Sequence, residues 1–112
     1  MKRTMWGALG VLALLVFAAP ASAQDPKVEK GKAVYTAQKC SLCHSIEGKG
    51  NKKGALDSVG TKLTAAQLHD WIVDPEGMTV KAKAERKPPM KKKVLPAEDV
   101  DALVAYLATL KK

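Results

Sequence analysis

The sequence predicts an all-α domain of three main helices joined by long loops, and three observations carry that expectation. Three stretches place apolar residues at helical spacing behind a capping residue. No stretch alternates apolar and polar residues as a half-buried strand would, and no internal repeat is visible. The 112 residues leave room for one domain at most.

The first helix is expected to open at Asp25-Pro26, a capping carboxylate followed by proline at the first helical position. Val28, Gly31, Val34 and Tyr35 recur on one side, and the pattern ends near Cys40. Glycine inside a helix costs about 1 kcal/mol against alanine, so Gly31 implies close approach by another helix. The second helix begins at Thr64, with Gln67 completing a capping box. Leu68, Trp71 and Ile72 form its buried stripe, and Asp74-Pro75 ends it. The third starts near Pro96, with Glu98 and Asp99 where acids suit the helix dipole. Val100, Leu103, Val104, Leu107 and Leu110 share its buried face. Between these helices lie two loops, Ser45 to Leu63 and Glu76 to Leu95, rich in Gly and Lys and in Lys and Pro. Loops this long are unusual in a small domain unless they wrap something.

Residues 1–23 read as a cleaved export leader. Lys2 and Arg3 precede an uncharged run from Met5 to Ala19, Pro20 breaks it, and Ala21-Ser22-Ala23 suits a signal peptidase. The alternative, a retained membrane anchor, needs about 20 apolar residues, more than this run has. The domain is then residues 24–112, with 17 basic and 11 acidic side chains and a net charge of +6. Its aromatic residues are Tyr35, Trp71 and Tyr106. So small a domain buries a modest fraction of its surface and often relies on a staple, metal or cofactor.

Cys40-Ser41-Leu42-Cys43-His44 is a C-x-x-C-H sequence, the attachment signature of c-type haem. Two thiols at this spacing reach the two vinyl groups of one porphyrin, and His44 offers an axial nitrogen to iron. Three rivals compete. A thioredoxin-like redox pair wants alternating strands and helices, which are missing. A zinc site from Cys40, Cys43, His44 and His69 has enough ligands, but adjacent Cys43 and His44 share one tetrahedron poorly. A plain disulfide suits an exported chain. Export itself favours haem. For a sixth ligand the domain offers Met78, Met90 and His69. Met90 is favoured, because Pro88 and Pro89 stiffen its loop and an apolar side chain would be oddly placed beside Lys91 to Lys93.

With these residues in place, the chain resembles a class I monohaem cytochrome c over essentially all of residues 24–112. The resemblance rests on Glu29 to Tyr35, the C-x-x-C-H motif, the loop Gly54 to Gly60, Leu63-Thr64 leading to Trp71-Ile72, the Met90 loop and the ending Glu98 to Leu107. It implies a small cytochrome c-like fold wrapped around one covalently attached haem c, with first and last helices crossing at Gly31 between Tyr35 and Tyr106. The same resemblance implies thioethers at Cys40 and Cys43 and axial iron ligands at His44 and Met90. Relatives usually carry a proline whose carbonyl accepts the axial histidine's other ring proton; Ala55 stands there. They often place proline after the axial methionine, whereas Pro88 and Pro89 precede Met90.

The expected function is one-electron transfer in a respiratory or related chain, in the periplasm or otherwise outside the cytoplasm, with no enzymatic activity. The alternative is an open sixth site used for small-ligand binding, sensing or weak peroxidase activity. Seven basic residues between Lys81 and Lys93 face a single acid, Glu85, and would steer the protein to acidic faces of redox partners. Nucleic acid is a poor partner, because no aromatic residues interleave with the lysines. A monomer without stable membrane insertion after leader cleavage is expected.

Overall fold

The computed structural model describes Gly10 and residues 25–112. Apart from Gly10, the expected leader lies outside the described residues.

Asp25 caps the first helix, α1 (Pro26–Ala37), through Oδ1, which accepts from the Lys27 amide at 2.9 Å. The proline follows at the first helical position, where no amide hydrogen is needed. At the far end Lys39 adopts a left-handed conformation, φ 54°, and turns the chain out of the helix into a 3-10 turn, Cys40–Leu42. A two-residue hairpin then pairs β1 (Ser45–Ile46) with β2 (Lys49–Gly50), antiparallel. A second 3-10 turn (Lys52–Gly54) and a single-turn helix, α2 (Val59–Lys62), follow. The expected capping box is formed: the Thr64 hydroxyl accepts from Gln67 N–H at 3.2 Å, and Gln67 Oε1 accepts from Thr64 N–H at 2.9 Å. It opens α3 (Ala65–Val73).

From the sequence, Asp74-Pro75 is expected to end the second helix and to lead into a loop. The structure instead starts another helix there, α4 (Pro75–Lys81), with Asp74 accepting from Gly77 N–H at 3.1 Å. A carboxylate before proline is the same start signal that opened α1; read only as a stop, it hides the second helix. The last helix, α5 (Ala97–Ala108), begins behind Pro96 as expected. The three expected helices are therefore α1, α3 and α5, with α2 and α4 as short additions inside the two expected loops. The hairpin is too short to show alternation. Among the described residues no helix is long and apolar enough to cross a membrane.

The core is Val34 of α1, Leu68 and Ile72 of α3, and Val100, Leu103 and Leu107 of α5. All six are positions the helical periodicity places inside, and each contributes roughly 1.5–3 kcal/mol by leaving water; of the other residues expected on those faces, Tyr35, Val104 and Leu110 pack against this core only half-buried, and Val28 and Trp71 are half-buried outside it. Among the described elements α1 and α5 share the most extensive contact. Gly31 is buried there against Ala102, itself fully buried. Tyr35 and Tyr106 pack edge-on beside it, with ring centroids 6.0 Å apart and planes at 73°, an arrangement worth about 0.5–1.5 kcal/mol beyond burial. The residues after α5 are tied back to α2 and the loop before it: Gly60 N–H, in α2, donates to Leu110 O at 2.8 Å and Lys112 N–H to Asp57 O, in the loop, at 3.0 Å. Asp57 in turn accepts from Glu47 N–H at 2.7 Å, which anchors the hairpin. These ties hold the segment after α1 against the helix crossing.

Candidate haem attachment site

The C-x-x-C-H motif closes on itself. Cys40 O accepts from Cys43 N–H at 3.1 Å and from His44 N–H at 2.9 Å. One turn therefore carries both sulfurs and the imidazole. The thiols are unpaired, with Cys40 half-buried and Cys43 exposed. Burial pushes the Cys40 thiol up, and the charge of Lys93 partly offsets this.

Asn51 straps the turn in place. Its amide nitrogen donates to Ser41 O at 3.1 Å and His44 O at 3.0 Å, and its side-chain nitrogen donates to Leu42 O at 3.3 Å. Its Oδ1 accepts from Lys53 N–H at 3.1 Å and caps the second 3-10 turn. One side chain thus joins the motif to the next loop. Sequence reasoning missed it; the available signal was a lone Asn between Gly50 and Lys52, a capping residue at the start of a turn.

His44 is half-buried, and its Nδ1 lies 3.0 Å from Gly54 O. A carbonyl only accepts, so Nδ1 carries the hydrogen. The lone pair is then on Nε2, the tautomer that ligates metal, and the carbonyl fixes the ring's orientation. Burial holds this imidazole below the ordinary histidine range; the Gly54 carbonyl opposes that, and the charge of Arg86 adds to it. The family resemblance put this acceptor at residue 55, but the structure puts it at Gly54. Ala55 is extended and forms a parallel bridge with Ser45, while Gly54 ends the turn closed by its own N–H on Asn51 O at 3.1 Å. The shift of one residue follows from that turn.

The segment from Ala82 to Pro96 runs past the motif. Arg86 Nη1, Cys43 O and His44 Nδ1 all lie within 3 Å of the point where a side-chain carbon on Gly54 would sit. Lys93, on the other side of Met90, acts electrostatically on Cys40. Met90 therefore lies in sequence between Arg86, which reaches the motif, and Lys93, whose charge bears on it. It is half-buried, whereas Lys87 to Pro89 and Lys91 to Val94 are exposed. Met78 is half-buried on α4. His69 is exposed on α3, 3.5 Å from Asp70, and lines a groove with Lys27 and Asp101 at the α1–α5 side. It does not join the motif. Among the described residues no three His, Cys, Asp or Glu side chains cluster to hold a metal ion, which counts against the zinc rival. The donor set suits a covalently held haem: two free thiols on one turn, followed by an imidazole with Nε2 available.

A family model described as Cytochrome c matches residues 28–111. No curated protein and no solved structure gives a significant match.

Proposed function

Because this chain belongs to the cytochrome c family, with its covalently attached haem c and its haem-based electron transfer, we propose that it is an exported one-electron carrier with His44 and Met90 as axial ligands. The observation that carries this reading is the orientation of His44, whose Nδ1 is held by Gly54 O beside two free thiols. Bound haem supplies a reversible one-electron couple at its iron. The residues do the rest. Cys40 and Cys43 would tether the macrocycle as thioethers, which a domain this small needs because packing alone would not retain it. His44 would hold the iron through Nε2, its ring oriented by the Gly54 carbonyl. Met90 would supply a thioether, a weak donor that raises the potential. No substrate has to bind for this function.

Export is supported by the leader-like residues 1–23, with residues 24–112 as the carrier domain. All seven basic residues between Lys81 and Lys93 are exposed, and among the described residues none forms a salt bridge with a carboxylate. If Met90 binds the iron, these charges rim the crevice and steer the protein to acidic faces of redox partners, faster at low salt.

The test is an absorption spectrum of the purified protein, oxidised and reduced. A sharp reduced α-band, with a weak near-infrared band in the oxidised form that Met90→Ala abolishes, is the expected result. A haem spectrum without that band removes Met90 and moves the reading to small-ligand binding or peroxidase activity at an open site. No haem from a host competent in cytochrome maturation removes the carrier reading altogether.

A further inference from the structure

The Ala82 to Pro96 segment brings one cation to the far side of His44 from its free nitrogen. Arg86 Nη1 and His44 Nδ1 each lie within 3 Å of the point a Cβ on Gly54 would occupy, so less than 6 Å separates them. That point also meets Cys43 O. A side chain on residue 54 would displace the guanidinium, and glycine leaves the space for it. Among the described residues no carboxylate pairs with Arg86, and its charge bears on His44. An unpaired guanidinium thus stands on the Nδ1 side of the imidazole, in the space that Gly54 leaves open.

We propose that Arg86 is a positioning residue that raises the reduction potential by placing a fixed positive charge behind the axial His44. The inference rests on His44 binding the iron of the proposed carrier. Its physical basis is direct. Oxidation adds a positive charge at the metal, and a nearby cation opposes that addition. This electrostatic opposition favours the reduced form. Arginine suits the task because it stays charged at every accessible pH. Arg86 is exposed, so salt must screen part of the effect.

The experiment compares the holoprotein with Arg86→Gln and Arg86→Lys by spectroelectrochemistry at low and high ionic strength. Arg86→Gln is expected to shift the equilibrium with a fixed reference couple about three- to tenfold towards oxidation. That is a fall of about 30–60 mV at 59 mV per decade for one electron. Arg86→Lys should retain more than half of the wild-type value, and the gap between wild type and Arg86→Gln should narrow at about 1 M salt, where the Debye length is about 3 Å. The hyperfine-shifted ring signals of His44 in the oxidised protein should also move in Arg86→Gln. An unchanged or higher potential in Arg86→Gln at low salt overturns the proposal. A fall that Arg86→Lys shares in full and that salt does not touch overturns it too, because that marks a structural role. Absence of a haem spectrum in the wild type would overturn the carrier reading itself, which keeps the two failures distinguishable.

Discussion

Replacing Gly31 with alanine tests the geometry on which the whole fold depends. Two effects oppose each other. Alanine in a helix interior is favoured over glycine by up to about 1 kcal/mol. Against this, the added Cβ would lie 2.6 Å from Tyr106 Cβ and 2.8 Å from Ala102 C, and would overlap Ala102 O. Carbon atoms pack at about 3.5–4.0 Å, so α1 and α5 must separate by about 1 Å. The obstructing atoms are backbone or fixed to it and cannot swing aside. Overpacking of this kind costs about 1–3 kcal/mol or more, and the separation also loosens Val34 against Leu103 and Leu107. Because the obstructing atoms are backbone the clash falls at the upper end of that range and outweighs the propensity gain, and the expected result is a net loss of about 1–2 kcal/mol. That is a substantial share of the roughly 5–13 kcal/mol available to a domain of this size. Guanidinium unfolding of the holoprotein, followed by Trp71 fluorescence and circular dichroism, measures it. Ala33→Gly is the control, since Ala33 is exposed on the same helix, and should lose about 1 kcal/mol from propensity alone. A Gly31→Ala protein as stable as wild type would refute the close crossing.

Three further perturbations probe other parts of the structure. Thr64→Ala removes half of the capping box at α3 and should cost about 1 kcal/mol in the same unfolding assay, with little change in the haem spectrum. Asn51→Ala unties the Leu42 carbonyl and uncaps the second 3-10 turn; a similar loss is expected, together with a lower yield of covalently attached haem. Tyr35→Phe should be neutral or mildly stabilising near neutral pH, because the Tyr35 hydroxyl is buried without a hydrogen-bond partner. Burial pushes the Tyr35 phenol up to about 12 from an ordinary value of 10.0. Its folded value is the higher one, so its contribution is intact below about pH 10 and declines as pH rises towards 12, where the unfolded chain ionises first. Thermal midpoints across that window should therefore fall less in Tyr35→Phe than in wild type, and equal slopes would show that this hydroxyl is solvated.

Local pattern carried a large part of this protein. The caps at Asp25 and Thr64, the apolar spacing of Val100, Leu103 and Leu107, and the unexplained glycine at 31 all lie within a few residues of what they specify, so the helices and their buried faces were readable in the chain. The C-x-x-C-H motif is equally local: two thiols and an imidazole on one turn, whose chemistry depends on spacing alone. What only the tertiary structure decided lies between segments far apart in sequence. Asn51 reaching back to Leu42, Gly54 rather than residue 55 receiving the His44 hydrogen, and Arg86 arriving behind that histidine depend on how loops fold over one another. Such contacts leave no periodicity, because each is set by the path of a loop between anchored ends. The core helices and the motif are therefore written in the sequence, while the charges and carbonyls that tune the site are placed by the packing of the chain around it.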